Sequence, residues 1–140
     1  VTEDSSLKPL LRGHFHQAAF FCALGACIML MAQCHGFRAT LATLIYSVCL
    51  IGLFGISALY HRPNWKPRAR MWMRRLDHAA IFLLIAGTAT PVCLFSLAGE
   101  SSSQALWVLW TLAFLGMLQS FFWVNKPKWA SAAIYVAVGS

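Results

Sequence analysis

Four stretches of about twenty residues each contain no Asp, Glu, Lys or Arg, and this spacing limits the possible folds more than any other feature of the chain. They run from Phe15 to Cys34, Ala39 to Tyr60, Ala79 to Leu97 and Ala105 to Val124. A helix rises ~1.5 Å per residue, so each run can cross a hydrocarbon core of about 30 Å with every backbone N–H and C=O bonded inside the helix. A soluble domain of this size needs a charged coat. Only 15 of the 140 residues are charged (11 Lys or Arg and 4 Asp or Glu), against 59% apolar residues and a mean hydropathy of +0.65. Those charges cluster between the runs instead of alternating along helix faces, which excludes disorder, coiled coil and collagen. The expected fold class is all-α: an integral membrane helical bundle.

The runs divide the chain into a polar arm, residues 1–14, and a transmembrane helical domain, residues 15–140. After Lys126-Pro127-Lys128 a fifth apolar run begins at Trp129 and reaches Ser140. At ~1.5 Å per residue it rises only about 18 Å. Ile134 to Val138 is apolar all round, so the expectation is a truncated spanning helix, not an interfacial one. The first run ends in Met31-Ala32-Gln33-Cys34, which lacks the small residue a cleavage site wants before the cut, and it should stay as a membrane anchor. Five cysteines (Cys22, Cys27, Cys34, Cys49, Cys93) form no CxxC pair and lie in or at the ends of apolar runs. They read as small buried hydrophobes with free thiols.

Lys and Arg placement sets the orientation. Lys8 and Arg12 in the arm, Arg62, Lys66, Arg68, Arg70, Arg74 and Arg75 after the second run, and Lys126 and Lys128 after the fourth all fall on one side. The other side has Arg38 and Glu100. Basic residues mark the cytoplasmic face, so the N-terminus is expected inside. A net charge of +7 in a soluble protein would suggest nucleic acid; here it encodes topology, and no nucleic-acid partner is expected. The Arg62 to Arg75 segment can also meet anionic lipid headgroups. Trp65, Trp72, Trp107, Trp123 and Trp129 lie near expected helix ends, where indole rings favour the headgroup layer.

On this topology His14, His16, His61, Asp77 and His78 gather at the cytoplasmic interface, and only His35 faces the other way. Ser57 and His61 are four residues apart, on one face of the second helix about one turn from each other. Asp77 stands at the expected start of the third. An imidazole and a carboxylate from adjacent helices suit a metal-bound water or a proton relay. Each residue also has a plainer reading. Asp77 can cap its helix and pair with Arg74 or Arg75; His61 can be an interfacial histidine beside Tyr60; Ser57 can bond a carbonyl one turn back. Gly87-Thr88-Ala89-Thr90-Pro91 reads as a kink whose hydroxyls re-satisfy freed backbone groups. His14 and His16, two apart, share no helix face.

Ser57-Ala-Leu-Tyr-His61, followed by Leu76-Asp77-His78-Ala-Ala-Ile-Phe-Leu-Leu-Ile-Ala-Gly-Thr-Ala-Thr-Pro91, closely resembles the two hallmark blocks of the hemolysin III family of bacterial membrane proteins. That family is related to the progestin and adipoQ receptors and, more distantly, to alkaline ceramidases. The resemblance runs from about Arg12 to Tyr135. It implies seven transmembrane helices in the bacterial inner (plasma) membrane, an N-terminus inside, and a zinc site near the cytoplasmic helix ends.

Carried over by the resemblance, His61 is a zinc ligand, Asp77 the acid that bonds the metal-bound water, and Ser57 its neighbour. The family's other two histidines come from a His-x-x-x-His pair on the seventh helix, and this sequence has no histidine after His78. Zinc wants three protein ligands, so this chain is expected to bind it weakly or not at all unless His16 or His78 substitutes. The activity implied is zinc-dependent hydrolysis of a lipid amide or similar acyl substrate. Two other functions stand beside it: a membrane-perturbing hemolysin or pore, and a non-catalytic role in membrane homeostasis or ion coupling through His61 and Asp77.

Overall fold

The computed structural model describes residues 13–122 and 136–137. Four helices follow one another: α1 (His14–Ala32), α2 (Phe37–His61), α3 (Pro67–Ser96) and α4 (Gly99–Phe122). All four are long and apolar enough to cross a membrane. The chain is an all-α integral membrane protein. The polar arm, the fifth apolar run, Trp123 and Trp129 lie outside the described residues, apart from a helical pair at 136–137.

α1 and α2 match their apolar runs to within two residues at each end, whereas α3 begins twelve residues before its run. Proline is favoured in a helix's first turn, where its missing N–H costs nothing, and Pro67 starts α3 there. The basic segment is therefore mostly helix, and the connection between α2 and α3 is only residues 62–66. At ~1.5 Å per residue the 30 residues of α3 extend about 45 Å, some 15 Å more than the hydrocarbon core. Arg68, Arg70, Arg74 and Arg75 ride on that excess. α4 likewise starts six residues before its run, at Gly99, whose φ of 56° is the left-handed geometry that a two-residue turn after α3 demands.

Among the described residues, contact between helices occurs only between neighbours in sequence: α1 with α2, α2 with α3, α3 with α4. The four helices form an open antiparallel row. Within a bilayer apolar side chains gain little by leaving lipid, so the seams rely on small residues that let backbones approach. Ala23 and Cys27 on α1, Ala42, Ser47 and Cys49 on α2, Ala79, Ala80, Ala86 and Gly87 on α3, and Ala113, Gly116 and Ser120 on α4 are buried. A Cβ on Gly87 would lie 2.5 Å from that of Cys49, and one on Gly116 would run into the Phe82 ring. Phe82, the largest fully buried side chain among the described residues, packs with Ala86 and Ala113 in the α3–α4 seam. Large residues such as Ile28, Val48, Val92 and Phe114 face outward to lipid.

All five cysteines carry free thiols, but only Cys27 and Cys49 are buried, and Cys22 is exposed on α1. Pro91 sits inside an uninterrupted α3 and offers no N–H to the Gly87 carbonyl. The neighbouring hydroxyls do not bond that carbonyl: Thr88 donates to Ile85 (3.0 Å) and Thr90 to Ala86 (2.6 Å). Thr90 also accepts the Trp110 indole N–H of α4 at 3.1 Å, and Ser102 donates to the Cys93 carbonyl at 2.9 Å. Thr90 and Ser102 thus tie α3 to α4 and do not repair a kink.

Candidate functional site

The start of α1, the end of α2 and the start of α3 lie at the same, basic end of the row, with α2 between the other two. His61 is the last residue of α2, and Trp65 folds back to donate its indole N–H to the Leu59 carbonyl at 2.8 Å, satisfying one of the orphan acceptors of that helix end. Ser57, one turn deeper, is buried.

The α2–α3 register follows from Gly87, which packs on Cys49 with the Ile45 carbonyl beyond. In antiparallel helices, ten residues back from Gly87 to Asp77 match ten residues forward from Cys49 to Leu59, or from Ile45 to Gly55. These levels bracket Ser57. At about 100° per residue, Ser57 lies about 80° around α2 from Cys49 and Asp77 about 80° around α3 from Gly87. Because the helices run in opposite directions, both turns lead to the same side of the row. Ser57 and Asp77 thus share a level and a side, with His61 one turn nearer the basic end.

Asp77 is ten residues inside α3, so it does not cap that helix. No ion pair joins it to Arg74 or Arg75 among the described residues. Arg75 instead lies over the Trp72 ring, 4.7 Å from its centroid.

The sequence reading missed a partner of His61. The His16 and His61 rings stack with centroids 5.2 Å apart and planes 14° from parallel, while the Tyr60 ring packs 4.6 Å from His61. Spacing along the chain could not reveal the first contact, because it joins two helices whose register the short 33–36 turn does not fix: counting antiparallel partners across that turn puts Leu53, not His61, opposite His16. Imidazole lone pairs lie in the ring plane, so two nearly parallel stacked rings do not aim at one ion. His16 is therefore not poised as a substitute ligand. Nor is His78, whose Nδ1–H donates to the Arg74 carbonyl at 2.8 Å and which lies about 180° around α3 from Gly87, away from α2.

The haemolysin-III-related family profile matches residues 5–140. The chain belongs to the haemolysin III family. It is 35% identical over 113 residues to Hemolysin-3 of Bacillus cereus, covering 80% of this chain and 51% of that protein. It is 33% identical over 95 residues to a Hemolysin-3 homolog of Bacillus subtilis (strain 168), covering 68% of this chain and 44% of the relative. The human monocyte to macrophage differentiation factor is 26% identical over 102 residues, 68% of this chain and 42% of its own length. The chain thus spans about half the length of these curated relatives. No solved structure matches it.

Proposed function

We propose that this haemolysin III chain supplies part of a zinc-dependent hydrolase that acts on a lipid amide or similar acyl substrate at the cytoplasmic face of the membrane. One observation supports the reading: Gly87 packs on Cys49, and helical periodicity counted from that contact puts Ser57 and Asp77 at one level and side between α2 and α3, with His61 a turn nearer the basic end. The donor types fit a zinc centre in part. His61 offers one imidazole, and Asp77 and Ser57 offer an acid and a hydroxyl. A catalytic zinc takes three protein ligands, and no group of three His, Cys, Asp or Glu side chains that could hold a metal ion occurs among the described residues. Two ligands must come from elsewhere.

Bound there, zinc would supply Lewis acidity and a water that ionises near neutral pH. Asp77 has a separate task. Its carboxylate, fixed in depth by the Gly87–Cys49 seam, takes a proton from water and returns it to the leaving group. Ser57, buried at the same level, orients that water through its hydroxyl. The basic end of the row faces the cytoplasm by the Lys/Arg asymmetry, which opens the site to the inner leaflet.

Zinc content and lipid-amide turnover of this chain and of the full-length protein containing it form the test. The full-length protein should hold about one zinc, lost in His61→Ala. Asp77→Ala should keep most of the metal and lose turnover about 10²- to 10⁴-fold. Undiminished turnover in Asp77→Ala, or stoichiometric zinc in this chain alone, contradicts the assignment.

The stacking of His16 on His61 favours a second reading, in which these imidazoles and Asp77 relay protons without chemistry on a lipid. Proton flux into vesicles that survives zinc removal and disappears in Asp77→Ala would select it. The lysis implied by the name of the Bacillus cereus relative draws less support, since the exposed sides of the four helices are lined with large apolar residues and a water-filled pore needs a polar stripe.

A further inference from the structure

On the other side of the row an open groove of about 740 Å³ lies between the first turns of α1 and the last turns of α2. Phe20, Phe21, Gly55 and Leu59 form its apolar walls, and Gln17 and Arg62 stand at its basic end. Gly55 makes room for it: a Cβ there would come 3.3 Å from the Phe20 ring. On α2, Gly55, Leu59 and Arg62 lie about 80 to 140° around from Cys49 in the sense opposite to Ser57, so the groove and the candidate site open on opposite sides.

We propose that this groove holds one acyl chain of an anionic phospholipid, with the lipid phosphate on Arg62 at the mouth. The volume falls in the range of about 300–1,000 Å³ usual for small-molecule sites. The walls belong to membrane-spanning helices, so the surrounding medium is lipid, and the apolar lining matches a hydrocarbon chain. The mouth is positive from two independent sources. Arg62 brings a guanidinium whose fork matches phosphate oxygens. Among the described residues α1 begins beside it with no side-chain cap and no acidic residue in its first turn, which leaves its first N–H groups and the positive end of the helix dipole at the mouth. The two are held together because Gly13, buried at φ 84°, packs against the backbone of His61 and Arg62, where a Cβ would lie 3.2 Å from the Arg62 nitrogen. The neighbouring basic residues of α3 add a field that favours a net negative headgroup over a zwitterionic one.

The test uses this chain in phosphatidylcholine vesicles with trace phosphatidylglycerol or phosphatidylcholine carrying a photoreactive group on the acyl chain; labelled residues are located by peptide mass spectrometry. Phosphatidylglycerol should label Phe20, Phe21 and Leu59 about ten-fold more than phosphatidylcholine, and Arg62→Gln should bring the two within about two-fold. Leu59→Trp should abolish labelling by both lipids; it fills the groove from a position that is 55% exposed and outside the helix seams. Arg68→Gln removes the same charge outside the groove, weakens only the surrounding field, and should lower the preference far less than Arg62→Gln. Equal labelling by the two lipids, an equal loss in Arg68→Gln and Arg62→Gln, or labelling that persists in Leu59→Trp overturns the proposal. Neither zinc nor turnover is measured, so failure here is distinct from failure of the hydrolase reading.

Discussion

Thr90 is buried in α3 and joins two helices through one oxygen, donating to the Ala86 carbonyl and accepting the indole N–H of Trp110. Removing the hydroxyl leaves that N–H in apolar surroundings, where interhelical hydrogen bonds contribute about 0.6 to 1.7 kcal/mol. Thr90→Val should lower stability by about 1 kcal/mol and Thr90→Ser should restore most of it, read from unfolding of the protein in mixed detergent micelles. Asp77 makes the opposite case. It contributes no cap to α3, so Asp77→Asn should leave the unfolding midpoint close to wild type while abolishing proton acceptance, giving turnover loss without destabilisation. Ser57, His61 and Asp77 stand out in the sequence because their types and spacing are rare next to uncharged runs, and their grouping into one site is the proposal made above. The cap reading of Asp77 failed because it placed the helix start at the edge of the apolar run, and the contact of His16 with His61 was invisible because it depends on the register of two helices.

Among the helices, α3 departs most from its hydropathy. Charge ends an apolar run without ending a helix, since past the hydrocarbon core water and headgroups solvate Arg and Lys while the backbone continues its hydrogen bonding. Pro67 was the available signal, standing where a helix tolerates proline best. The spans themselves were readable because nothing but helix can carry twenty uncharged residues through lipid singly. Which residues form the seams was not, for composition alone does not separate a glycine facing a neighbour from one facing lipid. Gly116→Leu should therefore cost about 1 to 3 kcal/mol by driving α4 off Phe82. Gly25→Leu on α1, where a Cβ meets nothing within 4 Å, should cost little. Comparing the two in the same unfolding assay tests the seam.

For the molecule as a whole, orientation is the first quantity to measure. Single cysteines placed at Lys66, Gly36 and Gly99 in a cysteine-free background should divide cleanly: an impermeant thiol reagent on intact cells labels positions 36 and 99, and reaches 66 only after permeabilisation. Labelling at 66 in intact cells would invert the row. Its neighbour-only contacts carry a further consequence for how the protein is made. Among the described helices each packs on the one synthesised just before it, so α2 can settle on α1, α3 on α2 and α4 on α3 as each leaves the ribosome. Stability then accumulates as a sum over three seams. A lesion in the α3–α4 seam should leave the protease resistance of the α1–α2 hairpin untouched, so damage travels no farther than the next helix.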